Sequence, residues 1–248
     1  MTAPFEKPER SCFNLTHFCR LIPESHCMFV MPPGCSRILR LSAIEEGISQ
    51  NFTVFALDEK DVINGEVESI LIDGAVSTIE DLSDENRRPR IFMLFVSCID
   101  GFIGTDHDYV MSKLKEYAPD IHFLDLAVDP INRATKPPLV RFHNEVTDLF
   151  IPSEKHRSVM WLGSYAPPAE DAPLRRKLDE AGIKSLHLID SRNFDELTSM
   201  GGCIAALAAT PMALPAVKRL KERLGMPYRN LCDTGDPDSL SEEELLKL

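Results

Sequence analysis

Seven apolar runs of strand length punctuate the chain: "HCMFVM", "FTVFAL", "RIFMLFV", "IHFLDLAV", "SVMWLG", "KSLHLI" and "CIAALAA". Between them lie segments whose apolar positions repeat with helical period. Examples are "SRILRLSAIEEG", the stretch from Glu66 to Leu82, "DYVMSKLKEY", "APLRRKLDEAG" and "PAVKRLKERLG", several of them closed by glycine. Runs that are apolar throughout, rather than alternating with polar residues, suit strands covered on both faces. Their alternation with helices predicts an α/β fold with mainly parallel sheets.

The polar stretch "IPSEKHR", Ile151 to Arg157, follows an amphipathic segment and precedes a fresh strand, so it reads as a linker. The sequence thus predicts two α/β/α domains, 1–152 and 153–248. The second, from Lys155 to about Tyr228, shows only three strands and three helices before the acidic tail, which is thin for a self-sufficient sheet and leaves room for chain missing after Leu248. The tail's "SEEELLKL" has the form of a capped helix cut short.

Charge narrows the range of partners. Asp and Glu outnumber Lys and Arg 39 to 27, for a net charge of -12, which argues against a phosphate-backbone partner, so no nucleic acid is expected. No apolar run reaches the roughly 20 residues of a membrane span and the N-terminus lacks the apolar core of a signal peptide, so the sequence predicts a cytoplasmic protein with no membrane partner. Neither a GxGxxG turn nor a GxxxxGK[ST] loop occurs, so any ATP hydrolysis belongs to another protein.

In a reducing compartment the seven cysteines are expected to be buried or bound to metal rather than paired in disulfides. Cys27 and Cys203 each open an apolar strand and read as core. Cys35, in "VMPPGCSRIL", sits where a strand hands over to a helix, near unpaired N–H groups and the positive end of the helix dipole, which suits an anionic sulfur ligand. Gly34 would let backbone approach whatever that sulfur holds. Cys98 occupies the matching place after another strand, in "RIFMLFVSCIDGFIGTDHDYV", and Cys12 precedes "FNLTHFC", the start of an expected helix. Ligands of open α/β sheets bind at such carboxyl ends, so the three thiols could converge on one rim. Cys19, seven residues after Cys12, is a possible further ligand or a packed neighbour. His17, His26 and His107 lie near the same motifs, and each reads more readily as a solvated surface histidine than as a ligand or proton donor. A Cys35 nucleophile activated by a histidine is a further reading, and no catalytic residue is assigned.

Three of these segments resemble the nitrogenase component 1 type oxidoreductases, the family that includes the light-independent protochlorophyllide reductase and related tetrapyrrole reductases. "SCFNLTHFC" is similar to its first-cysteine segment, "MPPGCS" to its histidine-glycine-proline-x-glycine-cysteine turn, and "SCIDGFIGTD" to its cysteine-x4-isoleucine-glycine-aspartate-aspartate motif. The separations of 23 residues from Cys12 to Cys35 and 63 from Cys35 to Cys98 are also close to the family's. "WLGSYAPPAED", "LRRKLDEAGIKSLHLI" and "AVKRLKERLGMPY" resemble its second Rossmann-like domain. Met31 and Pro32 stand in place of the turn's histidine and glycine, Thr105 in place of the first aspartate, and the family's third domain does not follow Leu248.

The resemblance implies a nitrogenase component 1-like architecture of two Rossmann-like domains. It implies an iron–sulfur cluster, 4Fe-4S or larger, held by Cys12, Cys35 and Cys98 at the interface with an identical or homologous subunit. It implies low-potential electrons delivered by a separate ATP-dependent iron protein and passed to a substrate. No molybdenum cofactor is expected, because the stretch "AALAATPMAL" has alanine or threonine where nitrogenase has its cofactor cysteine. The other reading is a non-catalytic cluster carrier or cofactor-assembly scaffold of the same fold.

Overall fold

The computed structural model describes residues 14–126, 137–232 and 235–248. They form two compact units, one built from Phe13–Pro138 and the other containing Leu139–Leu248.

In the first unit, short helix α1 (Phe18–Leu21) leads into β1 (Ser25–Met31), then α2 (Pro33–Glu46), β2 (Phe52–Ala56), α3 (Glu59–Ile63), α4 (Val67–Asp84), β3 (Ile91–Val96), α5 (Asp100–Ile103), α6 (His107–Tyr117) and β4 (His122–Asp125). The strands form one parallel sheet in the order β2-β1-β3-β4. β3 is buried along its whole length, and so is β1 from His26 onward, which is why they read as unbroken apolar runs. On one face Met28, Val30, Phe92, Leu94 and Val96 pack against Leu71, Ala75 and Ile79 of α4 and Val110 and Leu114 of α6. Alternate positions point the other way, where Phe29 stacks on Phe95 at 4.6 Å between ring centroids and Phe18 of α1 packs 5.6 Å from Phe95. Such aromatic pairs add about 0.5–1.5 kcal/mol each beyond their buried area. α2 ends where the sequence predicts, on Gly47 at φ 68, whose lack of a side chain permits the left-handed turn.

The second unit repeats the plan. α7 (Pro138–Asp148) precedes β5 (His156–Leu162), α8 (Pro173–Glu180), β6 (Lys184–His187), α9 (Phe194–Ser199), β7 (Cys203–Ala208), α10 (Leu214–Leu224), β8 (Tyr228–Asn230) and α11 (Glu242–Leu245). Its strands are again parallel, in the order β6-β5-β7-β8. The sheet therefore has four strands, where the sequence showed three. β8 is only three residues long, too short for any periodicity, and is held by its register with Ala206, Leu207 and Ala208.

Two further features depart from the sequence reading. α7, expected in the first domain, groups with the second unit, where Arg219 of α10 forms a two-bond ion pair with Asp148 at 2.7 and 2.6 Å. The polar stretch read as a linker is packed in its first part: the Ile151 N–H donates to Thr198 O at 3.1 Å, and its carbonyl lies where a Cβ on Gly201 would stand. The tail helix forms as predicted, with Ser241 capping Glu244 N and Glu244 returning a bond to Ser241 N.

Candidate metal centre at the carboxyl edge of the first sheet

The strand order places a switch in winding direction between β1 and β3. From β1 the chain moves outward to β2, then crosses back over β1 to reach β3. The connections leaving β1 and β3 consequently diverge, and the gap beyond their carboxyl ends is where open α/β sheets bind ligands. β1 and β3 are in register along Ser25–Val30 and Ile91–Val96, so the two strand ends lie side by side.

Cys35 lies just past the first of these ends. α2 starts at Pro33, so Cys35 is the third helical residue and stays within the first turn. No side chain among the described residues caps this N-terminus, which leaves its first N–H groups without a side-chain acceptor there. Cys35 is exposed, and a Cβ on Gly34 would meet nothing within 4 Å. The same outward side of α2 presents Ile38 and Leu41, both more than half exposed.

Cys98 lies just past the second end and is partly exposed. Its loop is pinned by the Ser97 N–H, which donates to Val30 O of β1 at 3.0 Å, and turns through α5 to Gly104 at φ 74. The hydroxyls of Ser97 and Thr105 are buried with no hydrogen-bond partner among the described residues. Beyond the loop, His107 Nε2 donates to Asp100 Oδ2 at 2.7 Å, and its Nδ1 stands 3.2 Å from Asp125 Oδ1 at the end of β4. That second contact is an ion pair rather than a hydrogen bond. The carboxylates of Asp100 and Asp125 raise His107 to about 10, against the opposing effect of partial burial. The sequence reading of His107 as a solvated histidine is thus corrected: it is a cation held between two carboxylates.

Cys12 lies outside the described residues. Cys35 and Cys98 share one edge of adjacent strands, and among the described residues no group of three or more His, Cys, Asp or Glu side chains is arranged to hold a metal. Two thiols reachable from outside, beside an uncapped helix start and two orphaned hydroxyls, fit the donor chemistry of a cluster supplied with further ligands. Cys19 is buried with its thiol beside that of Cys27. Burial, with Cys19 second, pushes the Cys27 thiol well up. Cys203 is fully buried, and burial raises its thiol to about 12. Cys27 and Cys203 are therefore core, as the strand pattern predicts.

His26 is also corrected. It is 4% exposed, bonded through Nε2 to Thr53 Oγ1 at 2.8 Å, and lowered to about 4 by burial and then by Arg87. Sequence reasoning also passed over His143 on α7, which is wholly buried with no hydrogen-bond partner for either ring nitrogen among the described residues and lowered to about 3, chiefly by burial. Its place on the apolar stripe of α7, one residue after Phe142, was the available signal.

No protein-family model matches the sequence, and a comparison with curated proteins finds no match. Solved structures do match. The structure titled nitrogenase Cp1 at pH 6.5 aligns with 86% of this chain and 51% of its own, at 12% identity and a TM-score of 0.61. That titled nitrogenase Cp1 at pH 5 aligns with 84% of this chain and 44% of its own, at 16% identity and a TM-score of 0.63. The protein is an α/β protein of two parallel four-stranded sheets with a nitrogenase-like fold, and it spans about half the length of these nitrogenase chains. No helix among the described residues is long and apolar enough to cross a membrane.

Proposed function

We propose that the chain is a nitrogenase-like oxidoreductase component, with an N-terminal cluster-binding domain and a second Rossmann-like domain that begins at α7. In this reading Cys12, Cys35 and Cys98 bind an iron–sulfur cluster at the interface with an identical or homologous subunit, and an ATP-dependent iron protein delivers the electrons. The observation that carries it is the pairing of Cys35 and Cys98 on the carboxyl edge of adjacent strands, at the winding switch of a nitrogenase-like fold. The cluster would supply one-electron transfer at low potential. Around it the chain would place the Cys35 sulfur in the first turn of α2, where the first N–H groups stabilise an anion, and keep backbone approach open at Gly34. Three cysteines leave a cubane one ligand short, which a second subunit would supply.

The test compares two thiols. Cys35→Ala is expected to remove most of the bound iron and the brown colour after anaerobic reconstitution while the melting temperature holds, because an exposed first-turn residue contributes little packing. Cys27→Ala should keep its iron and lose about 1–3 kcal/mol, as a buried side chain does. Full iron in Cys35→Ala, or a wild-type chain that takes up none, would refute the assignment. Light scattering should show a dimer in the iron-loaded state.

A further inference from the structure

The loop that carries Cys98 is held at three points. Its start is bonded to β1 through Ser97 N and Val30 O, and its end is set by Asp106, which caps α6 through Tyr109 N at 2.9 Å. The middle is held by Ile99 and Ile103, which pack against the core of the sheet, and by His107, whose ring reaches back to Asp100, two residues after Cys98, and across to Asp125, the last residue of β4. The three side chains are only 20%, 13% and 18% exposed, so solvent screens them weakly. Without the imidazolium, two carboxylates would face one another across the space it fills, and removing one member of a buried ion cluster leaves the others uncompensated.

Resting on the reading of Cys98 as a cluster ligand, we propose that His107 is a positioning residue: by bridging Asp100 of α5 to Asp125 of β4, it fixes the loop that aims the Cys98 sulfur at the sheet edge. It touches no reacting atom in this role. The cation it presents at neutral pH is the form the bridge needs, since neither carboxylate can donate.

The experiment uses the full chain, first without metal. Iodoacetamide labelling of Cys98, followed by peptide mass spectrometry, is expected to speed up at least about tenfold in His107→Gln, equivalent to ~1.4 kcal/mol of lost restraint. Labelling of Cys232, exposed in the second unit, should not change. Asp125→Asn, which keeps the His107–Asp100 bond but weakens the tie to β4, should raise the Cys98 rate in the same direction and decides the matter if His107→Gln does not fold. After anaerobic reconstitution, both variants should show a shifted midpoint potential of the bound cluster. Unchanged Cys98 labelling in a folded variant overturns the inference, as does an equal rise at Cys98 and Cys232. A wild-type chain that binds no iron would overturn the cluster reading instead, and the labelling result would still show whether His107 holds the loop.

Discussion

As pH falls from about 6.5 towards 4, each of the two units should lose at least about 1.4 kcal/mol of stability per pH unit, the value for one proton taken up on unfolding. The first unit owes this to His26, lowered to about 4, and the second to His143, lowered to about 3. Both are buried neutral, so below an unfolded pKa of about 6.5 the unfolded chain binds a proton that the folded chain refuses. His187 of the second unit, also lowered by burial, acts in the same direction. The first unit carries an opposite slope on the alkaline side. His107 is raised to about 10, so its contribution is complete below about 6.5 and is lost as pH rises through about 10. The second unit should hold its stability up to about pH 8.5 and then fall, because burial raises the Cys203 thiol to about 12. Urea melts across pH 4 to 10, followed separately for each unit, would show this. His143→Leu should make the acid limb of the second unit shallower and leave the first unaltered; an unchanged limb would refute the account.

Gly201→Ala should be the most damaging single-methyl change in the second unit. Its Cβ would overlap the carbonyl oxygen of Ile151, and a backbone carbonyl cannot swing aside as a flexible side chain can. The Ile151 N–H is itself tied to Thr198 O, so the two segments have little freedom to part. A loss of about 3 kcal/mol is expected, the upper end for overpacking, and for a chain of this size that lowers the melting temperature by roughly 6–12 °C. Gly34→Ala is the control. Nothing lies within 4 Å of its added methyl and its backbone is helical, so it should change stability by less than about 1 kcal/mol, in the stabilising direction. Equal melting curves for Gly201→Ala and the wild type would contradict the close approach.

The candidate site was legible in outline because its signals are local. "PPGC" after an apolar run announces a strand end and a helix start, and "SCIDGFIG" announces a strand end and a glycine turn, so Cys35 and Cys98 could be named from their neighbours alone. That they share one edge follows from pairing β1 with β3 across the intervening β2, which no local pattern encodes. His107 reads as an ordinary polar residue in "TDHDYV"; its role depends on Asp100 and Asp125, which lie to either side in the chain and meet only around its ring.

By itself the sequence determined the class of its seven apolar runs, which form β1–β7, and of the five helices it names, α2, α4, α6, α8 and α10. Runs buried on both faces are apolar throughout, helices keep their period, and glycine stops them, because these are constraints on each segment's own backbone and surface. Tertiary structure alone decided the order β2-β1-β3-β4 and its repetition in the second sheet, the strand β8, and the grouping of α7. It also decided the charge states of His26, His107 and His143, since burial and opposite charge are properties of what surrounds a ring, and those surroundings come from distant parts of the chain.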